Sequence, residues 1–228
     1  MPAYFDVASL DFLRRLARHN ARPWFHARKP EYEQRVRDPF LRLLGDLQPA
    51  VAGLSPHFRS EPKTMGGSLL RVQRDTRFAN DKTPYKTWQG AKLFHERHRQ
   101  VPAPQVYLHL QPGGSFIAAG LWHPETPTLR RLRQFLVDNP AAWERATTSA
   151  TFARRFDLDD GEALVRVPRG YPADHPHADA LRRRNWVALH AYDDATMTGA
   201  RLRSVIESDL TRLAPFLDYM CAALDLEF

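Results

Sequence analysis

The densest group of chemically active side chains in this sequence lies in residues 71–87, which we call the basic segment. It reads Arg-Val-Gln-Arg-Asp-Thr-Arg-Phe-Ala-Asn-Asp-Lys-Thr-Pro-Tyr-Lys-Thr and carries five cations, two carboxylates, a Tyr and a Phe. Guanidinium, ammonium and carboxylate groups form charge-assisted hydrogen bonds, which are roughly twice as strong as neutral ones. Such a segment is suited to holding an anion or to forming a rigid network of ion pairs.

We predict that the cations of the basic segment form an electropositive pocket for a small anionic or phosphorylated ligand. Between positions 74 and 86, four cations face only two carboxylates, so positive charge is left uncompensated. Arginine suits this role because its planar guanidinium binds oxyanions through two parallel hydrogen bonds. The predicted ligand-binding residues are Arg71, Arg74, Arg77, Asp81, Lys82, Tyr85 and Lys86.

Catalysis at this pocket is an open question at the level of the sequence. Asp75 and Tyr85 are the candidates for proton transfer, because a carboxylate and a phenol can each exchange a proton with a bound ligand. The neighbouring cations would stabilise a charged transition state. No residue pattern specifies a reaction, so the sequence does not decide whether the protein is an enzyme.

Two other interpretations of the same side chains remain open. In a structural domain without a ligand, Asp75 and Asp81 would pair with neighbouring cations and fix the segment as an ion-pair network. In a nucleic-acid or protein-binding module, the same cations would contact a phosphate backbone or a partner surface. Binding to a phosphate backbone weakens steeply as the salt concentration rises, whereas a pocket selects its ligand.

Composition and charge limit the classes of protein that this chain can be. Its 228 residues are 43% apolar, which is enough for one sizeable core, and we expect a single domain over residues 1–228. Most of the net charge of +7 arises between positions 59 and 99, where ten Lys or Arg residues face four Asp or Glu residues. A local excess of this kind favours an electropositive site over a uniformly basic surface.

Signals for cofactors, metals and membranes are weak. No Gly-rich turn typical of dinucleotide or P-loop sites is present, and the histidines lack the spacing of a metal site, so we predict no cofactor and no metal. No apolar run approaches the roughly 18 residues of a membrane span, and the first residues do not resemble a signal peptide. We therefore expect a cytoplasmic protein without a membrane partner, and its oligomeric state is unknown at this level.

Helices and strands that would position the basic segment follow from hydrophobic periodicity. Apolar residues at three- and four-residue steps predict helices over residues 9–19, about 30–51, 126–139 and 198–224. Short runs with β-branched or aromatic content predict strands over residues 68–73, 89–95, 105–111, 115–122, 162–167 and 186–192. Strands grouped between helices predict an α+β fold, with a largely antiparallel sheet and with N-terminal helices and a long C-terminal helix packed against it.

Residues 74–86 also carry a resemblance to a known family. The pattern Arg-Asp-x-Arg-Phe-x-x-Asp-Lys-x-Pro-Tyr-Lys resembles the signature of the domain-of-unknown-function 2461 family, conserved hypothetical proteins of bacteria and fungi. Further similar pieces are Trp24-Phe25 with Tyr32, Gly120-x-Trp122-x-Pro124 and Pro168-x-Gly-Tyr171. One departure is Asn20-Ala21, where similar proteins often have paired Asn. The resemblance implies no activity, substrate or cofactor.

Overall fold

A six-stranded antiparallel sheet forms the centre of the molecule, for which the computed structural model describes residues 2–228. The strands lie in the order β1-β2-β3-β4-β6-β5, and each neighbouring pair is antiparallel. Their bounds are β1 Phe58–Arg59, β2 Gln89–His95, β3 Gln105–Leu110, β4 Ser115–Leu121, β5 Asp157–Leu158 and β6 Trp186–Tyr192. The predicted α+β fold with a largely antiparallel sheet is confirmed.

Helices precede, interrupt and follow the sheet. The N-terminal group is α1 Val7–Arg18, α2 Arg22–Ala27, α3 Lys29–Tyr32, a π-helical turn Glu33–Arg37, α4 Asp38–Asp46 and α5 Gln48–Leu54. The later helices are α6 Thr126–Asp138, α7 Pro140–Thr147, α8 Ala150–Ala153, α9 Ala178–Arg182, α10 Asp194–Met197 and α11 Leu202–Ala223. Within residues 2–228, no helix combines the length and the apolar character that crossing a membrane would require.

The long C-terminal helix α11 packs against the sheet through one apolar stripe, as predicted. Leu202, Ile206, Leu210, Leu213, Leu217 and Met220 recur at three- and four-residue steps and are almost completely buried. Side chains at these steps lie on one face of a helix, so a single face of α11 enters the core. α11 contacts β4 and also α5 and α7, which joins the C-terminal helix to both helical groups.

The helix predicted over residues 30–51 is divided into three helices and a π-helical turn. Pro30, Pro39 and Pro49 each occupy one of the first two positions of a new helix, α3, α4 and α5 respectively. Proline is tolerated there because its missing N–H would have no partner within the helix. A new helix thus begins at Asp38, directly before Pro39, and the apolar stripe continues across the breaks through Val36, Phe40, Leu44 and Leu47.

Two predicted strands are wrong, and two strands were missed. Residues 162–167 form turns, where Val165 is 90% exposed and so has no core to face. Residues 68–73 form only single bridges, Leu69 with Ala91 and Gln73 with Tyr85, because the chain leaves the edge of β2 and pairs with its own continuation. The missed strands, β1 and β5, have two residues each, which is too short for a periodic pattern.

The two faces of the sheet differ in chemistry beside the basic segment. Alternate residues of β2, β3 and β4 point into the core, and in the middle of these strands they are small or aliphatic: Ala91, Leu93, Val106, Leu108, Ile117 and Ala119. Polar residues on this side, Gln89, His95 and Ser115, lie at strand ends. The residues between them form what we call the outer face. The outer face carries Lys92 on β2, Tyr107 and His109 on β3, and Phe116 on β4. In the middle of these strands, polar and aromatic groups are therefore concentrated on the outer face.

Candidate functional site

The basic segment is a loop closed at its base by a short antiparallel ladder. The Arg74 N–H donates to the Pro84 carbonyl at 2.9 Å, and the Lys86 N–H donates to the Val72 carbonyl at 2.8 Å. Between these bonds, Gln73 and Tyr85 face each other as bridge partners. The ladder fixes the two ends of the loop, so the side chains of residues 74 and 86 start from defined positions.

Tyr85 anchors this ladder to the N-terminal helices. The Asn20 amide donates to the Tyr85 carbonyl at 2.8 Å and accepts from the Tyr85 N–H at 3.0 Å. The Tyr85 ring stacks on Phe25 with 4.1 Å between ring centres, and only 4% of the residue is exposed. Asn20 therefore positions the loop base through both main-chain groups of one residue, a role that its place after α1 did not indicate.

Two arginines of the loop are paired with its two carboxylates. Arg77 forms a bidentate ion pair with Asp75, with Nε to Oδ1 at 3.0 Å and Nη2 to Oδ2 at 2.7 Å. Arg74 binds Asp81 and donates to the Thr83 hydroxyl at 2.5 Å. The hydrogen bonds from Arg77 lower the pKa of Asp75. This half of the segment fits the ion-pair interpretation.

The remaining cations have no carboxylate partner within the described part of the chain. Lys82 Nζ donates to the Thr76 carbonyl at 3.0 Å, and Lys86 Nζ donates to the Arg71 carbonyl at 3.0 Å. Lys86 Nζ also lies 4.8 Å from the centre of the Trp88 ring. The Arg71 guanidinium is exposed. Positive charge therefore remains after the internal pairs are formed, as the sequence predicts.

Two clefts adjoin the ladder, and they divide the predicted site residues between them. The first, which we call the Lys82 cleft, has a volume of about 320 Å³ and is lined by Ala21, Arg22, Gln73, Arg74, Thr76, Lys82, Pro84 and Tyr85. The second, which we call the Lys86 cleft, has a volume of about 450 Å³ and is lined by Arg74, Asp75, Tyr85, Lys86, Thr87 and Trp88. Arg74 and Tyr85 belong to both, whereas Arg71, Arg77 and Asp81 line neither.

Arg22 is a cation of the Lys82 cleft that sequence reasoning missed. It is the first residue of α2, directly after the turn that contains Asn20. Asn20 ties this turn to Tyr85, and this contact brings Arg22 to the basic segment. The only signal in the sequence is a cation next to a turn, which is common at helix ends and would not have identified it.

Replacing Asp81 by Ala should open the loop to trypsin, with faster cleavage after Arg77 and Lys82. The Thr83 N–H and then Arg74 lower the pKa of Asp81 from 3.8 to about 2. A carboxyl whose pKa is lowered by folding contributes its stabilisation above the ordinary pKa, and the contribution is lost as the pH falls towards about 2. At neutral pH, Asp81 is therefore ionised in the wild type and holds the loop through its contacts with Arg74 and Thr83. Peptide mapping of a digestion time course measures the rates, with Asp38→Ala, an exposed carboxylate on α4, as the control. Equal rates would contradict this role of Asp81.

A third cleft, of about 960 Å³, lies between β6 and the helices α10 and α11, and Asp209 is buried beside it. Asp209 accepts hydrogen bonds from Arg155 Nε at 2.8 Å and Arg155 Nη2 at 2.7 Å. It also accepts from Tyr192 Oη at 2.7 Å and Arg212 Nη1 at 2.9 Å. Four donors thus surround one carboxylate that has no exposure to water. In the sequence, this network is indicated by an Asp that lies within the apolar stripe of α11.

The relationship of the chain to known proteins rests on a family model. The model described as "Conserved hypothetical protein (DUF2461)" matches residues 8–219, which include the basic segment, the whole sheet and most of α11. Comparison with curated proteins and comparison with solved structures each found no match. The resemblance seen in the basic segment is confirmed over nearly the full length. The chain belongs to the DUF2461 family of conserved hypothetical proteins.

Proposed function

We propose that this protein binds a small anionic or phosphorylated ligand in the Lys82 cleft. The observation that carries the proposal is the charge of the lining: Arg22, Arg74 and Lys82 contribute three cations, and no lining residue is an Asp or a Glu. Asp81 neutralises part of the charge of Arg74 from outside the cleft. About two positive charges therefore remain for a ligand, which matches a phosphate group near neutral pH.

Hydrogen-bond donors are available to such a ligand. Arg74 contacts Asp81 and Thr83 through Nη1, which leaves its Nε and Nη2 groups for another acceptor. Lys82 uses one of its three N–H groups on the Thr76 carbonyl, and the Arg22 side chain makes no hydrogen bond within residues 2–228. Charge-assisted bonds from Arg and Lys are the strongest that a protein offers to an oxyanion.

The dimensions of the cleft and its neutral groups favour a small ligand over a polymer. A volume of about 320 Å³ lies at the lower end of the usual range for ligand pockets, roughly 300–1,000 Å³. Tyr85 lines one wall and is held by its ring and by both main-chain groups. Of the two candidates for proton transfer, Tyr85 lines both clefts, whereas Asp75 lines only the Lys86 cleft.

Isothermal titration calorimetry with inorganic phosphate and pyrophosphate tests the proposal. We expect one-to-one binding that becomes weaker by about tenfold or more in Lys82→Gln and in Arg22→Gln, because each change removes a cation from the lining. Arg201→Gln removes an equally exposed cation from the third cleft and should leave the affinity unchanged. Absence of binding by the wild type, or an affinity of the Lys82→Gln and Arg22→Gln variants equal to that of the wild type, would overturn the proposal.

A single-stranded nucleic acid is the second candidate ligand, because of one residue at the tip of the loop. Phe78 is 94% exposed, and the Arg77 guanidinium carbon lies 5.9 Å from the centre of its ring. An exposed ring among cations can stack an unpaired base while the cations contact phosphates. This alternative predicts binding of an oligonucleotide that weakens steeply with salt and is lost in Phe78→Ala. If neither anions nor oligonucleotides bind, the ion-pair interpretation is left.

A further inference from the structure

The outer face of the sheet carries a cluster of aromatic rings directly after the basic segment. Trp88 lies 4.7 Å from His109 between ring centres, and His109 stacks on Phe116 at 4.6 Å with an angle of 14° between the planes. Tyr107 lies 5.6 Å from Phe116 on the same face. Trp88, Tyr107 and Phe116 are each only half-buried. The cluster therefore presents apolar ring surface to solvent.

Hydrogen bonds hold the polar groups of this cluster in one arrangement. His109 Nε2 lies 2.9 Å from Gln111 Oε1, and because that oxygen can only accept, Nε2 carries the proton. Nδ1 is then an acceptor, and the Tyr107 hydroxyl donates to it at 2.9 Å. Burial lowers the pKa of His109, which keeps the ring neutral. Gly90 makes room for this pair, since a Cβ at Gly90 would lie 2.4 Å from Tyr107 Oη.

Lysines without a counter-charge border the rings. Lys92 is the direct register partner of Tyr107 and is half-buried, and its ammonium group makes no hydrogen bond or ion pair with any described residue. Burial lowers the pKa of Lys92. Burial, followed by the charges of Arg71 and Lys92, lowers the pKa of Lys86. Lys86 Nζ donates to the Arg71 carbonyl at 3.0 Å and lies 4.8 Å from the centre of the Trp88 ring, so both residues adjoin the aromatic cluster. Partly desolvated cations without a partner destabilise the fold, and a bound anion would relieve that strain.

We propose that the outer face binds a nucleoside monophosphate. The base packs on the rings of Trp88, Tyr107 and Phe116, and the phosphate lies among Arg71, Lys86 and Lys92. Half-exposed rings supply stacking surface that an inorganic anion would not use, and the three cations match a dianionic phosphate. These cations are different from those of the Lys82 cleft, so this inference does not rest on the function proposed above.

Fluorescence and calorimetric titration of the full chain with adenosine monophosphate tests this inference. We expect the nucleotide to bind about tenfold or more tightly than adenosine or inorganic phosphate alone at this site, because only the nucleotide engages both the rings and the lysines. Lys92→Met should weaken nucleotide binding by about tenfold or more. Phe116→Leu should weaken the binding of the nucleotide and of adenosine alike.

The Lys92→Met variant also has a second readout that keeps the test informative. A lysine whose pKa is lowered by folding destabilises the protein at neutral pH, where it is charged, and the penalty fades as the pH rises towards the ordinary pKa. Replacing Lys92 by an apolar side chain of similar length should therefore raise the melting temperature while nucleotide binding falls. A variant with a higher melting temperature and weaker nucleotide binding has lost binding without losing its fold.

Arg201→Gln is the matched control, because it removes an exposed cation from the third cleft and should leave nucleotide binding unchanged, whereas Lys82→Gln reports on the Lys82 cleft. If nucleotide binding is lost in Lys82→Gln and retained in Lys92→Met, the nucleotide occupies the Lys82 cleft, and the inference is wrong while the proposed function stands. If neither variant changes the affinity, or if only oligonucleotides bind, the outer face is not a mononucleotide site. Failure of phosphate binding alone would leave this inference intact.

Discussion

Replacing Asp209 by Ala should lower the free energy of unfolding by about 3 to 5 kcal/mol. Asp209 has no exposure to water and is the common partner of Arg155, Arg212 and Tyr192. Its removal leaves two partly buried guanidinium groups without their shared counter-charge and deprives the buried Tyr192 hydroxyl of its acceptor. Breaking one side of a buried ion pair is strongly destabilising because the remaining charge stays desolvated.

Urea denaturation of the wild type and of Asp209→Ala measures this loss. Glu207→Gln provides a control on the same helix, because Glu207 pairs with Arg203 at 2.7 Å while both side chains remain about a third exposed. An exposed pair of this kind contributes at most about 1 kcal/mol. A loss for Asp209→Ala no greater than that for Glu207→Gln would show that the Asp209 network does not hold β6, α11 and the turn after α8 together.

Gly120→Ala should be comparably damaging, at about 3 kcal/mol or more, through backbone strain and a steric clash. Gly120 has φ of 127°, a conformation that side chains rarely adopt. A Cβ at this position would lie 1.9 Å from the carbonyl oxygen of Trp186 on the neighbouring strand β6. The clash is with backbone, so it can be relieved only by separating β4 from β6 at that point.

Gly45→Ala is the matched control, and we expect it to have the opposite sign. Gly45 lies within α4, and a Cβ there would meet no atom within 4 Å. Replacing glycine by alanine inside a helix stabilises a protein by roughly 0.5 to 1 kcal/mol, because alanine has less conformational freedom to lose. Thermal unfolding of both variants measures these two changes in stability. A Gly120→Ala variant as stable as the wild type would contradict the interpretation that the backbones of β4 and β6 approach each other too closely at Gly120 for a side chain.

These predictions show where sequence reasoning was incomplete. Gly120 was recognised only as part of a pattern shared with the family, and its structural reason is a strand contact with Trp186, far away in the sequence. Asp209 lies in an apolar stripe, and its partners Arg155 and Tyr192 come from other elements. Neither role has a local signature, because each depends on which segments become neighbours in the folded chain.

In the candidate site too, the sequence indicated the charge of the segment but not the contacts that group its side chains. A count of charges indicated an excess of cations in the basic segment, and the ion pairs of Arg74 and Arg77 leave that excess in place. The count could not show that Arg22 joins Lys82, or that Lys86 turns towards Trp88. Alternation along a strand places Lys92 and Tyr107 on a face only when the register of β2 with β3 is known.

The amino-acid sequence by itself determined the α+β class, the antiparallel central strands, the long C-terminal helix and the location of the surplus positive charge. These properties depend on periodicity and composition, which are local and additive along the chain. The tertiary structure alone decided how the cations are grouped into the Lys82 cleft and the outer face. That grouping depends on long-range contacts, such as the two hydrogen bonds between Asn20 and Tyr85, and no local pattern encodes such contacts.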